Sequence, residues 1–190
     1  MNFDLQLDKQ YGIMLSGGLD SAVLLYLILK ENKDIKIQPF TIPKHDGALL
    51  YIKSIIAYIN TKCQVELPET IVVGNQNLAH NEQGPSAVKE IRQKHSIDHL
   101  FFGSNKNPPV TIEGLNPVRI RPIDSSVLCP FFDLYKTDIV NLAVEHGLQE
   151  LFNITHTCTE QQVGRCNSCW QCRERAWAFN TLNIQDTGTL

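Results

Sequence analysis

The sequence predicts an α/β protein: a parallel sheet covered by helices on both faces, carrying a small cysteine-rich C-terminal tail. Three observations predict it. Short apolar runs alternate with runs of helical period over about the first 150 residues, the pattern of parallel strands joined by crossover helices. The first apolar run ends in "LSGGLDSA", Leu15 to Ala22, a paired-glycine elbow between a strand and a helix. Four of the six cysteines, Cys158, Cys166, Cys169 and Cys172, fall together late in the chain.

The elements follow in order. "YGIML" is a short apolar strand that stops at Ser16-Gly17-Gly18. Leu19 to Lys30 is apolar and free of proline, which predicts a buried helix with Asp20 and Ser21 in its first turn, where a negative side chain suits the positive helix end. "IKIQPFTI" is a second strand, weakened by Pro39, because proline cannot donate to a ladder. Ala48 to Ile59 places apolar residues at 49, 52, 55, 56 and 59, a helical period. "ETIVVG" predicts a third strand, and Pro85 to His95 a helix with its proline near the first turn. "DHLFFGS" is the fourth strand and "PVRIRPI" the fifth; Lys136 to His146 is a helix closed by Gly147. The most loop-like stretch, Lys106 to Leu115, is a candidate mobile flap. In a Rossmann-like sheet of this kind, ligands bind at the carboxyl ends of the strands, which is where the elbow falls.

The totals narrow the function. With 190 residues, 43% of them apolar and 19% charged, the chain can bury the core of one globular domain. A net charge of −3 gives no reason to expect a nucleic-acid partner. The start, "MNFDLQLDKQ", carries acidic residues and no apolar stretch, so no signal peptide is expected; the longest apolar run, Ala22 to Leu29, is too short for a membrane span. A cytoplasmic protein is therefore expected, and there clustered cysteines point to a metal more than to disulfides.

Two motifs carry chemistry. A bare glycine pair is often only a tight turn. Here Gly17 and Gly18 leave room for an oxyanion to approach their amides, the helix start adds a positive end, and Ser16 and Ser21 supply hydroxyls. The elbow is neither GxxxxGK[ST] nor GxGxxG. In the tail, Cys158-x7-Cys166-x2-Cys169-x2-Cys172 offers four thiolates, a closed tetrahedral set for structural zinc; an iron–sulfur cluster also uses such spacing. His156 is a candidate fifth ligand nearby, but the four cysteines complete the set. Arg173 and Arg175 follow on a predicted helix, with solvent exposure as their ordinary fate. Trp170 and Trp177, seven apart on one face, suit the core or a homodimer interface.

SGG-x-DS between the first strand and helix resembles the pyrophosphatase loop of the N-type ATP pyrophosphatases. With "PFFDLYKTDIVNLAVEHG" and the terminal "CNSCWQCRERAWAF", the chain resembles the 7-cyano-7-deazaguanine synthases. That resemblance implies a nucleotide-binding domain over residues 1–150 and a zinc-binding segment over 151–190 packed on it as one unit. It implies ATP held by Ser16, Gly17, Gly18, Asp20 and Ser21, with Asp20, Ser21 and Lys136 catalytic. It further implies Mg2+ on the phosphates, Zn2+ on the four cysteines, and Arg175 in the family's arginine position. The implied substrates are 7-carboxy-7-deazaguanine and ammonia: the carboxylate is adenylated with release of pyrophosphate, converted to an amide, and dehydrated to a nitrile after a second activation. The middle of the chain departs from the family. "TIPKHDGALL" replaces a tyrosine-glycine-glutamine element, and "GSNKNPPVTIEG" lacks a tyrosine, an aspartate and a cysteine-arginine-proline run. Phe40, Thr41, Asn105 and Arg119 or Arg121 are the candidates for acceptor contacts. An enzyme that stops at the amide or joins another amine, a tRNA-modifying relative, and a non-catalytic nucleotide-binding module are the competing expectations.

Overall fold

The computed structural model describes residues 3–43, 47–108 and 119–188. Its strands are β1 (Gln10–Met14), β2 (Lys36–Thr41), β3 (Ile71–Val72), β4 (His99–Phe102) and β5 (Val127–Leu128). Its helices are α1 (Leu19–Glu31), α2 (Ala48–Cys63), α3 (His80–Lys94), α4 (Lys136–Glu145), α5 (Glu150–Ile154) and α6 (Trp170–Thr181). All strand pairs are parallel, in the order β3-β2-β1-β4-β5. The chain reverses direction across the sheet between β1 and β4, so a crevice opens there beyond the strand ends.

Alternation along β1 divides the core. Tyr11, Ile13 and Leu15 join a large cluster with α1, α2, α4, α5 and α6; Met14 joins Phe40, Leu100 and the α3 residues Ala87 and Ile91 on the other face. Both faces are therefore covered, as the sequence predicts. Helix α1 is buried from Ser21 to Leu29, which explains its lack of a polar stripe.

Pro39 sits inside β2 without breaking it. The Phe40 carbonyl accepts the Leu15 amide from the β1 side, and the Thr41 carbonyl accepts the Val73 amide from the β3 side. By alternation the proline nitrogen points towards β3, whose pairing begins only at Phe40. The Gln38 side-chain amide fills the gap, donating to the Pro39 and Glu69 carbonyls at 3.0 and 2.7 Å.

Several expectations are corrected. Of the expected strand 117–123, residues 117 and 118 lie outside the described residues and 119–123 are in no strand; the fifth described strand is Val127–Leu128, with which β4 pairs in the register Leu100 to Val127. Helix α3 begins at His80, with Pro85 inside it; the proline costs one hydrogen bond near the start, where few are yet made. Helix α2 runs on to Cys63. Of the candidate flap, residues 109–115 lie outside the described residues.

The tail is tied down by one buried cation. Arg175 is 1% exposed. It donates to both Asp186 oxygens at 2.9 Å, to the Phe152 carbonyl at 2.7 Å, and to Thr155 and Thr157. It is thus a clamp and not a solvated helix residue. Burial pushes the Asp186 carboxyl up, but hydrogen bonds and charge from Arg175 and then Arg165 outweigh it and hold the group below its ordinary value. A depressed carboxyl stabilises the fold above its unfolded-state value of about 3.9, and that contribution is lost as the pH falls through the lower folded-state value. Asp186→Asn should cost roughly 3 kcal/mol at neutral pH and flatten the acid limb of a Tm profile between pH 7 and pH 2. An acid limb as steep as that of the parent protein would assign the dependence to another group.

Candidate active site

A cavity of ≈ 370 Å³ opens at the β1/β4 crevice. Its floor is the elbow after β1. Gly17 adopts φ 75°, a left-handed conformation that favours glycine, and its carbonyl accepts the His156 amide at 2.8 Å. Ser16 and Gly18 face the cavity. Gly17 is buried and turns the chain, while Gly18 lines the cavity. The Ser21 hydroxyl donates to the Gly18 carbonyl at 3.2 Å and lies 3.3 Å from the Ser16 hydroxyl and amide. The loop is therefore braced by the first turn of its own helix.

Three helices, α1, α4 and α6, begin at this cavity, and α3 reaches it past its first three residues. Leu19 to Ser21 of α1, Gln83 and Gly84 of α3, Lys136 of α4, and Trp170 and Gln171 of α6 all line it. In a parallel sheet the helices start where the strands end, and each start carries unpaired amides and a positive dipole end. The cavity therefore suits an anion with several charges.

Lys136, first residue of α4, reaches Asp20 across the cavity and donates to its two oxygens at 2.6 and 2.5 Å. The lysine is 7% exposed. Its placement is local chemistry: the Asp138 carboxylate accepts the Tyr135 amide at 2.7 Å and fixes the start of α4. Gly103, just after β4, lets that strand approach α1, since a Cβ there would lie 2.8 Å from the Ser21 nitrogen and 3.0 Å from the Asp20 carbonyl carbon.

The tail supplies the far wall: Cys158, Thr159, Trp170, Gln171 and Glu174. The thiol sulfurs of Cys158, Cys166, Cys169 and Cys172 all lie within 4.8 Å of one another. Tetrahedral ligands at 2.3 Å from one ion stand about 3.8 Å apart, so the set can hold a single metal ion with slight contraction. The Cys166 sulfur accepts the Ser168 and Cys169 amides; the Ser168 hydroxyl first, and then the Cys169 amide, draw its thiol down to about 6. His156 stays out of this set. It stacks on Tyr51 with ring centres 4.6 Å apart and holds the Gln161 carbonyl at 2.8 Å.

Of the acceptor candidates, Asn105 and Arg119 line the cavity. Phe40 does not; it is fully buried in the α3-side core. Thr41 is buried beside it. Arg121 turns away to pair with Asp133 at 2.6 Å. Glu174 was not among the candidates: a glutamate within a helix reads as solvent-facing, yet this one is 2% exposed. Trp170 lines the cavity while Trp177 packs against Tyr135 and the core, so the two do not share one surface.

The family model of the queuosine biosynthesis protein QueC matches residues 117–183, the stretch holding Lys136 and all four clustered cysteines. A 7-cyano-7-deazaguanine synthase from Persephonella marina is 24% identical over 92% of this chain and 93% of its own. Another from Archaeoglobus fulgidus is 25% identical over 92% and 87%. The chain is thus similar to the 7-cyano-7-deazaguanine synthases over most of its length. Among solved structures, an NMN synthetase from Francisella tularensis shares the fold (TM-score 0.53, 13% identity, 93% of this chain and 78% of that one). So does the U34-tRNA thiolase NcsA from Methanococcus maripaludis with its [4Fe-4S] cluster (TM-score 0.50, 16% identity, 94% and 66%). Among the described residues no helix is long and apolar enough to cross a membrane.

Gly103→Ala should force β4 and α1 apart, because the atoms it meets are backbone. The expected cost is about 1–3 kcal/mol, visible as a lowered Tm. An unchanged Tm would show that the β4 loop recedes freely.

Proposed function

We propose that this chain is an ATP-dependent ligase of the 7-cyano-7-deazaguanine synthase type, acting on 7-carboxy-7-deazaguanine and ammonia. The observation that carries the proposal is the convergence of the serine-glycine elbow, Asp20 and Lys136 in one cavity closed by the cysteine segment. Residues 1–150 would hold the nucleotide and 151–190 the metal. The amides and hydroxyls from Ser16 to Ser21 would cradle the β- and γ-phosphates. An acceptor carboxylate oxygen attacks the α-phosphorus, and the bond to pyrophosphate breaks. Charge collects on the departing pyrophosphate, and donors already in place stabilise it without reorganisation. Lys136, exchanging Asp20 for a phosphate oxygen, adds a full positive charge there. Asp20 is the carboxylate at hand for Mg2+, which when bound would neutralise further phosphate charge. Ammonia then attacks the acyl carbon and AMP leaves, giving the amide. The amide oxygen then attacks the α-phosphorus of a second ATP, releasing a second pyrophosphate, and loss of AMP and of both protons on nitrogen gives the nitrile. Four thiolates leave a zinc ion no open position, so its part would be structural.

Given 7-carboxy-7-deazaguanine, ATP, magnesium and ammonium, the protein should release pyrophosphate, with the nitrile identified by mass. Pyrophosphate with only an amide or a conjugate as product would move the reaction to the variant that the altered middle of the chain also suits. No substrate-dependent pyrophosphate with any ammonia source would reject the proposal.

Ser21→Ala should lower pyrophosphate release by about 100-fold or more while Tm moves little; Asp20→Asn should lower release as far, with a fall in Tm from the unpaired Lys136. An equal loss of thermal stability in Ser21→Ala would return the elbow to a structural turn. The protein should carry one zinc per chain by elemental analysis, and Cys169→Ser should abolish it. Acid-labile sulfide with several irons would replace zinc by a cluster.

A further inference from the structure

Facing the phosphate loop across the cavity is a second, separate constellation. Glu174, in the second turn of α6, accepts Arg119 Nη1 and Nη2 on its two oxygens at 2.8 and 2.7 Å. The guanidinium carbon lies 4.6 Å from the centre of the Trp170 ring. Arg119 Nη1 also donates to the Lys106 carbonyl at 2.9 Å, and the Asn105 amide stands 3.5 Å from Glu174 Oε1. All four side chains line the cavity.

An ordinary structural ion pair would explain the distances but not the location. The fold-holding cation of α6 is Arg175, which has its own carboxylate in Asp186. The Arg119 side chain, in contrast, keeps 17% of its surface exposed, and its partner is a carboxylate 2% exposed on the cavity wall. The pair also has a specific shape. A planar group rests against an indole and presents two N–H donors, on nitrogens sharing one carbon, to the two oxygens of a carboxylate. The 2-amino-lactam edge of a guanine-type heterocycle is built the same way: a ring N–H and an exocyclic amino group on one carbon, in a flat ring that stacks.

We infer that Glu174 and Trp170 form the slot for the acceptor's heterocycle, and that Arg119 fills it as an internal stand-in until a 2-amino-lactam edge displaces it. The inference rests on the proposed function for the acceptor's presence in this cavity, but not for the chemistry of the slot. Displacement has a consequence. The heterocycle competes with Arg119, so its apparent affinity is reduced by the fraction of slots the arginine occupies. The slot also selects against heterocycles lacking the amino group, which leave one carboxylate oxygen unpaired.

The test reads binding and not turnover. The probes are 7-deazaguanine and 7-deazahypoxanthine, which have no carboxylate to adenylate, titrated calorimetrically with α,β-methylene-ATP present. The wild-type protein should prefer 7-deazaguanine by about 10- to 100-fold. E174Q should lose that preference, whereas R119A should bind 7-deazaguanine more tightly than wild type. The double variant R119A/E174Q leaves no buried charge unpaired, so it keeps the test readable should a single variant misfold; it too should show no preference. Equal binding of the two probes by the wild type would overturn the inference. So would weaker binding by R119A, a preference surviving in the double variant, or no binding of either probe by R119A. Pyrophosphate release from the carboxylated substrate is measured separately, so loss of one reading does not carry the other with it.

Discussion

The backbone hydrogen bond from the His156 amide to the Gly17 carbonyl joins the two ends of the chain at the cavity. The elbow is irregular backbone, and irregular backbone near a core must find partners for its polar groups. Gly17 finds one two residues before Cys158, in the segment that enters the cysteine cluster. His156 is in turn braced by Tyr51 of α2 and by the Gln161 carbonyl. The shape of the elbow therefore depends on the seating of the tail, although 138 residues lie between Gly17 and His156.

Arg175 supplies the seating. A charge 1% exposed is tolerated only when its donors are matched, and here Asp186, Phe152, Thr155 and Thr157 match them. Those partners come from α5, the segment leading to Cys158, and the end of the chain. One side chain thus fixes three stretches that hydrophobic contact alone would leave free to slide. A metal at the four sulfurs would hold the neighbouring loop from its other side. The cavity wall that carries Trp170 and Glu174 is the outer surface of this same assembly.

The similarity to the synthases is distributed unevenly, and the structure gives this a spatial meaning. The QueC match covers Lys136 and the cysteines, and the elbow lies at the start of the chain. These parts meet on the elbow side of the cavity and in its far wall. The described stretches 42–43 and 103–108, after β2 and β4, lie at the carboxyl ends of strands, where a sheet of this order binds ligands. The fold can stay constant while those loops change, because the register of the strands does not depend on them.

Much of this was legible in the sequence. The alternation of apolar runs gave the sheet and the covered faces, because burial imposes a period that local pattern records. The elbow was legible because a left-handed residue before a helix start calls locally for glycine. The cysteines were legible because metal-ligand spacing is short-range. Lys136 came from resemblance; nothing in its own neighbourhood distinguishes it from a surface lysine at a helix start. Other features were decided only by tertiary structure. Arg119 and Arg121 occupy alternate positions in one short run, and the run alone could not say which would meet a carboxylate. The fifth strand lies further along because β4 chose its partner through register. Glu174 and Arg175 are adjacent on α6 and both buried, one towards the cavity and one towards the tail. Neither fate is written in a helix of mixed charge. Burial of an ion is set by the partners that distant segments bring to it, and only the packed chain assembles those partners.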